Sequence, residues 1–466
     1  MGGKVKQLIS NILIFGLGSV LVKVIQVILM PIYTSHLTPE AFGTGELLLN
    51  SVELLYPLIS ISIFEAVFRF LLDKEQDKKV IISVGLRVMF FSIIICLIIA
   101  GIFQYFFDFQ FMGYMIVIVL LAQMNVLFSR WAMGIEKNKV FAMSGVIGTI
   151  VLLGSSWVTL NIYNMGIDGF FISNILYYTV SVIFLFFAAG IYKNISIKHF
   201  DMKTCKTMIK YSLPLIPNTV AWWILNLSTK YVVQIFLGFT IAGIYAAAYK
   251  IPSMITMVVN VFDEAWRISA SKDVDNADSD VFFKKTYKSF SIMIFLATSV
   301  VIAIAPYISA IFLKGDFFVG YLYVPALLLA TYINGHARFF VGTFVALKKT
   351  GVIMVTSLIG GGVSIVLSIF LIRIFGIFGV LFSLNIGYFA TLIGRYFAMR
   401  DYIDMPIKYC LIPLMVLVVQ TVLMSCDNSV FRIITTCISV VSAGVAVFLL
   451  KDMVVLAKKS KKQFII

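Results

Sequence analysis

Charge is scarce in this chain, and that scarcity excludes an ordinary soluble fold. Asp, Glu, Lys and Arg make up 13% of its 466 residues and apolar residues 61%, whereas soluble domains run at about 25% and 45–50%. Histidine is almost absent, at three residues: His36, His199 and His336. The five cysteines, Cys96, Cys205, Cys410, Cys426 and Cys437, form no CxxC pair and no metal-like cluster. A disulfide framework or a zinc site is therefore not expected, nor is any cofactor. The sequence contains no G-x-x-x-x-G-K-[ST] loop, so nothing assigns nucleotide-driven transport. It also has no HExxH and no GxSxG, so no enzyme chemistry is legible. Nothing resembles a K⁺-channel filter. Acids are outnumbered, leaving a net charge of +15. Basic loops on one side of a membrane produce the same excess, so no nucleic-acid partner is expected.

What is abundant is apolar sequence in long runs. With a mean hydropathy of +1.01, the chain has more apolar surface than one globular core can bury, and lipid must be its solvent. The expected fold class is an all-α polytopic membrane protein. About fourteen segments reach the roughly 20 residues that cross a bilayer. They lie near 8–31, 43–66, 80–106, 112–134, 140–162, 168–190, 210–236, 240–262, 286–313, 320–347, 351–374, 376–399, 406–425 and 430–450. The first run, behind Lys4 and Lys6, is too long for a cleaved signal peptide and reads as segment 1.

Charge sets the orientation. With the N-terminus in the cytoplasm, 30 of the 37 basic residues fall in inside segments, and Lys314, Arg373 and Arg432 alone fall outside. The opposite orientation violates the positive-inside rule. Both termini are expected in the cytoplasm, outside loops are a few residues long, and no extracytoplasmic domain fits.

A weak internal repeat is present. Gly166-Ile167-Asp168-Gly169 is echoed by Gly376-Ile377-Phe378-Gly379, and the same offset of 210 pairs Ser173 with Ser383 and Lys139 with Lys349. Gly43 and Glu65-Ala66 are echoed by Gly243 and Glu264-Ala265. The order implies two pseudo-symmetric six-helix lobes: residues 1–200 as an N-lobe (segments 1–6) and 201–400 as a C-lobe (segments 7–12). Residues 401–466 then add segments 13 and 14 and a basic cytoplasmic tail. Each half has an even number of crossings, which predicts a two-fold axis along the membrane normal and a central site.

Four basic residues remain beyond the 30 inside and three outside, and all fall within spans: Lys23, Lys230, Lys250 and Arg338. A charge at the bilayer centre costs roughly 2.5–3.5 kcal/mol on insertion scales, so such residues face a bundle interior or a wet cavity. One reading is a cationic cavity for an anionic substrate; the alternative, strongest for Lys23 and Lys230, is snorkelling to the interface. In segment 2, Glu46, Asn50 and Glu53 share one helical face. They read as an ion-coupling site or as a structural ion pair, with Glu46 interfacial. Asn218, Asn226 and Lys230 line one face of segment 7, as cavity lining or as interhelical hydrogen-bonding groups. His336 reads as a structural histidine or as a cavity residue near Arg338.

Several motifs, in order, resemble one family. Leu37-Thr38-Pro39-Glu40-Ala41-Phe42-Gly43 is similar to the L-G-P-E-x-F-G connector of polysaccharide-unit (Wzx-type) flippases. Tyr211-Ser212-Leu213-Pro214-Leu215-Ile216-Pro217, Phe236-Leu237-Gly238, Ala242-Gly243-Ile244-Tyr245, Lys348-Lys349-Thr350 and Phe375-Gly376-Ile377-Phe378-Gly379 also fit. The family belongs to the multidrug/oligosaccharidyl-lipid/polysaccharide (MOP) exporter superfamily. One departure is Ser228-Thr229-Lys230 where the family often has Ser-Asp-Arg: the cation is kept and the acid lost. The resemblance implies a flippase of the bacterial inner membrane. Its cargo would be undecaprenyl-pyrophosphate-linked oligosaccharide for O-antigen, lipopolysaccharide or capsule. Further partners implied are membrane lipids, a coupling H⁺ or Na⁺, and polysaccharide polymerase and chain-length machinery. The same resemblance leaves open a lipid II flippase or a multidrug exporter of the same fold. A membrane polymerase is the further alternative, and its large extracytoplasmic loop is missing here.

Overall fold

The computed structural model describes residues 2–73, 76–195, 199–273, 279–426 and 428–445; within these, side chains are described except at 2–17, 19, 218, 221, 222, 225–227, 268, 272 and 273. The basic tail and the end of segment 14 lie outside the described residues. The elements are α1 (Gly2–His36), α2 (Pro39–Ile59), α3 (Ile63–Leu71), α4 (Lys78–Phe107), α5 (Met112–Gly134), α6 (Asn138–Ser156), α7 (Gly166–Ala188) and α8 (Met202–Ser212). There follow α9 (Ile216–Asp273), α10 (Ser279–Ala303), α11 (Ala305–Phe312), α12 (Val324–Ala346), α13 (Thr350–Phe375), α14 (Ile377–Arg400) and α15 (Lys408–Ser425), and a last apolar helix, α16 (Ser429–Val445).

The all-α polytopic reading stands. Among the described residues nine helices are long and apolar enough to cross a bilayer, or eleven when two bent pairs each count as one span. The shorter apolar helices Val20–His36 and Ser429–Val445 coincide with segments 1 and 14. Segments 7 and 8 are both carried by α9, which breaks at Gly238 (φ 83°, ψ 174°), a conformation open to glycine and costly to other residues. The outward faces are apolar: on α4, Phe90 and Phe91 are about 60% exposed, and Ile94, Ile95, Leu97, Ile98 and Ile99 are exposed beside them. In water such a face would be a large liability; in lipid it is the solvated surface.

Two segments expected as single helices are bent. Segment 2 turns by 64° between α2 and α3. Ile61 and Ser62 take left-handed backbone conformations, and the Ser62 amide reaches back to the Pro57 carbonyl at 2.8 Å. Segment 10 bends by 53° between a 3₁₀ stretch, Gly315–Leu322, and α12. After α6 the chain widens into a π-turn, Trp157–Ile162. There Thr159 Oγ1 donates to the Gly169 carbonyl at 3.1 Å and lies 3.0 Å from Ser173 Oγ, which ties the wide turn to α7.

The chain forms two compact units, Met1–Leu227 and Ser228–Ile466. In the first, α1 packs on α6, α7 on α5 and α6, and α3 on α5, with the short α8 lying against α3 and α4. Its centre is apolar, around Ile63, Val67, Met89, Leu127 and Trp131. In the second, α13 pairs with α14, and α12 packs on α10, α14 and α15. An aromatic core fills it: Trp266, Phe283, Tyr287, Phe290, Phe339 and Phe340 are all buried. His336 belongs to this core, fully buried with Nδ1 3.1 Å from Tyr287 Oη.

The repeated motifs share local features. Gly166 and Gly376 both have positive φ, 57° and 58°, and each immediately precedes or opens a long helix. Ser173 Oγ donates to the Gly169 carbonyl at 2.8 Å, as Ser383 Oγ does to Gly379 at 2.7 Å. A Schellman turn closes both α5 and α12. Lys137 N donates to Ala132 O at 2.9 Å and Glu136 N to Met133 O at 3.0 Å; Lys349 N donates to Phe344 O at 2.9 Å and Lys348 N to Val345 O at 3.1 Å. Glu136 and Lys348 hold the positive φ that this motif needs. The conformational partner of Lys349 is thus Lys137 rather than Lys139, because the local offset here is 212, not 210.

Close approach of α13 to α14 depends on small residues, as helix pairs in lipid do. A Cβ at Gly387 would stand 2.6 Å from the Gly360 carbonyl oxygen and from Ser364 Cβ, whereas one at Gly362 would meet nothing within 4 Å. Gly387→Val is expected to cost about 1–3 kcal/mol through overpacking, and Gly362→Ala to stay within about 0.5 kcal/mol. Thermal unfolding in detergent measures both; equal melting temperatures would refute the close contact.

Candidate functional site

In the second unit one carboxylate gathers two guanidinium groups. Asp263, near the end of α9, has a side chain only 4% exposed. Its Oδ2 accepts from Arg338 Nη2 of α12 at 3.1 Å and from Arg267 Nη2, one turn along α9, at 3.0 Å. Oδ1 is buried and accepts no hydrogen bond among the described residues. Arg338 is therefore held by a single bond, not by the bidentate fork that makes arginine–carboxylate pairs strong. Its side chain is 31% exposed and that of Arg267 45%, so both heads remain reachable.

A third arginine stands behind these two. Arg395 of α14 is 4% exposed. It donates to Thr356 Oγ1 at 3.1 Å, Ser357 Oγ at 2.8 Å and the Ala337 carbonyl at 2.7 Å. The last bond fixes the backbone next to Arg338. Arg395 is one of the 30 basic residues that charge alternation assigns to inside segments; in the structure it is a buried helix residue satisfied by neutral groups. Three cations against one anion leave the cluster net positive, and that is suited to an anionic group with several oxygens.

The first unit carries a related pair. Arg130 Nη2 of α5 donates to Glu65 Oε1 of α3 at 2.7 Å, both about a third exposed. Glu65 and Arg69 repeat the four-residue spacing of Asp263 and Arg267, at an offset of 198. The sequence echo of Glu65 with Glu264 is thus one residue out of register. Glu264 is exposed and Asp263 is buried, as helical neighbours about 100° apart must differ. The acid–Arg spacing was a usable signal for Asp263, hidden by the identical Glu-Ala dipeptide beside it.

Lys23 is exposed, and its Nζ donates to Gln26 Oε1 at 3.1 Å. It borders a partly polar cavity of about 260 Å³ in the first unit, where Asn125, Ser129, Ser144, Tyr177 and Ser181 stand among apolar groups such as Val22 and Phe141. Glu46 and Asn50 are buried on α2 and Glu53 is exposed; the Asn50 carbonyl accepts from Trp223 Nε1 at 2.8 Å. In the second unit Lys230 and Lys250 lie on α9 on opposite sides of the Gly238 break, both partly exposed. The side chains of Asn218 and Asn226 lie outside the described residues. A larger cavity in the second unit, about 530 Å³, is apolar, lined by residues such as Leu329, Ile333, Phe382, Phe389 and Val418. It holds none of the charges discussed here. Among the described residues no cluster of metal-ligating side chains occurs.

A family model described as "Polysaccharide biosynthesis protein" matches residues 8–266, more than half of the chain. The chain belongs to this family. No curated protein matches it significantly. Its fold is that of solved MOP-superfamily structures. An inward-closed structure of the lipid II flippase MurJ superposes with a TM-score of 0.68 at 14% identity, covering 95% of this chain and all of that one. An inward-facing multidrug resistance MATE family transporter gives 0.65 at 14% identity, covering 81% and 94%. A Pyrococcus furiosus MOP transporter, whose binding pocket is described as reversed in polarity, gives 0.58 at 13% identity, covering 84% and 95%. Family and helices together make this chain a multi-pass membrane protein of the polysaccharide biosynthesis family, with the fold seen in MOP-superfamily transporters.

Arg395 supplies the test of the cluster's scaffold. Lysine cannot reproduce its three-way donation, so Arg395→Lys should cost about 3 kcal/mol or more, from two lost charge-assisted bonds. A lowered melting temperature in detergent is expected; an unchanged one would show that the buried guanidinium does not hold α12 and α14.

Proposed function

We propose that this protein translocates undecaprenyl-pyrophosphate-linked oligosaccharide repeat units from the inner to the outer leaflet of the bacterial inner membrane, for assembly of O-antigen, capsule or a similar surface polysaccharide. The observation that carries this reading is the net-positive cluster of Arg338, Arg267 and Arg395 around Asp263, in a chain of the polysaccharide biosynthesis family. A pyrophosphate diester presents several charged oxygens, and guanidinium groups recognise such oxygens by paired hydrogen bonds. Lys23, Lys230 and Lys250 are proposed to add charge along the path, with Glu46, Asn50, Asn218 and Asn226 as its neutral or acidic lining.

Transport would run by alternating access: a site open to the cytoplasm captures the head group, the two lobes rock, and the site opens outward while the polyprenyl tail stays in lipid. On this reading both termini are cytoplasmic. Glu53, exposed on the face shared with Glu46 and Asn50, is the proposed coupling carboxylate for H⁺ or Na⁺. Polymerase and chain-length proteins would take the product outside. A cationic head-group site disfavours cationic drugs as cargo.

The decisive experiment is translocation of a defined undecaprenyl-pyrophosphate oligosaccharide by the full chain in proteoliposomes. Movement of lipid II alone would reassign the cargo, and movement of neither would refute the reading. Lys250→Ala and Arg338→Ala are each expected to slow translocation at least about tenfold, the scale of one lost charge-assisted bond, with expression unchanged; wild-type glycan display in both would remove the cationic site. Glu53→Gln should abolish dependence on the ion gradient, and unchanged dependence would assign Glu53 a structural role.

A further inference from the structure

We infer that Asp263 is a built-in substitute for the substrate's phosphate, a carboxylate that occupies Arg338 when no substrate is bound and gives it up when the pyrophosphate arrives. This exchange rests on the transport reading above and adds to it a residue that the reading does not use.

The geometry of the cluster points to exchange rather than to a permanent strut. A strut would engage both carboxylate oxygens. Here both arginines share Oδ2, and Oδ1 accepts nothing among the described residues. Arg338 is held by one bond of 3.1 Å and remains about a third exposed. A phosphate group offers it the paired acceptor geometry that Asp263 does not. When Arg338 turns away, the buried carboxylate is not orphaned. Arg267, one turn along the same helix, still donates to it at 3.0 Å, so the large penalty for an unpaired buried charge is avoided.

The supporting groups differ in burial and anchoring in the way an exchange needs. Arg395 is buried and tied by three hydrogen bonds, one of them to the Ala337 carbonyl. It holds the backbone beside Arg338 in place while the Arg338 side chain swings. Arg267 keeps Asp263 on its own helix. The same arrangement of an acid with an arginine four residues on and a partner arginine on a later helix recurs at Glu65, Arg69 and Arg130. The exchange is assigned to the Asp263 copy, whose carboxylate is buried and already divided between two arginines.

The test is calorimetric binding of inorganic pyrophosphate to the full chain in phosphatidylcholine nanodiscs. Asp263→Asn removes the competitor and should tighten binding about tenfold, the scale on which a close charge pair changes affinity. In an Arg338→Gln background the same change should alter affinity less than about twofold, because no guanidinium is left to release. Arg267→Gln, a change at a half-exposed residue, leaves Asp263 to Arg338 alone and should weaken binding about threefold. No tightening in Asp263→Asn, equal tightening with and without Arg338, or tighter binding in Arg267→Gln would each overturn the exchange. Translocation of lipid-linked oligosaccharide by the wild-type chain, measured in parallel, separates the two ideas. Transport with unaltered Asp263→Asn affinity sinks the exchange and keeps the transport reading. Arg338-dependent tightening without transport does the reverse.

Discussion

A charge inside a hydrocarbon layer costs several kcal/mol unless a partner or water receives it, and the backbone there must satisfy every amide and carbonyl within the protein. These two demands organise the whole molecule. The second makes the described chain helical and sets aside broken backbone for a few sites: the Ser60–Ser62 bend, the π-turn at Trp157–Ile162 and the Gly238 break. The first decides where acids and arginines stand. Among the described residues, Glu65 is matched to Arg130, and Asp263 to Arg338 and Arg267. Arg395, the most buried of these cations, is satisfied by two hydroxyls and a carbonyl.

Packing follows from the same solvent. Lipid tails are as apolar as leucine, so helices gain little by burying leucine against each other and more by approaching closely. The α13–α14 pair meets at Gly360, Gly387 and Ser364 while its outward face keeps Met354, Leu358, Phe370 and Phe382 exposed. The aromatic core of the second unit holds the ends of α9 and α12 together through Trp266, whose indole donates to the Phe339 carbonyl at 3.1 Å. Phe339 is the residue after Arg338. Core packing and the charge cluster are therefore continuous, and the positions of Asp263 and Arg338 are set by rigid helices.

This continuity gives the charge cluster its chemical character. A surface arginine pair would be screened and weak. Asp263 is buried, so its charge must be compensated, yet only one of its oxygens is used. Compensation by two partly exposed arginines leaves net positive charge facing outward from a fixed base. On the proposed function, that charge would receive a phosphate-bearing head group, with the acid as the compensating partner of the two arginines.

The amino-acid sequence by itself determined the membrane class and the approximate place of most spans, because hydropathy over about 20 residues is a local property. It also flagged Arg338, since an ionisable residue within an apolar run is visible without knowing its neighbours. Tertiary structure alone decided the rest. Asp263 and Arg338 are 75 residues apart, and no local pattern says that one carboxylate reaches the other's helix. The echo at Glu264 drew attention to the wrong neighbour, because identity of letters does not report which face of a helix is buried. Charge alternation counts Arg395 only as one more inside cation, yet helix packing buries it beside Ala337. The physical reason is the same each time: a helix rotates about 100° per residue, so function at a packed interface turns on facing, which exists only once the helices are side by side.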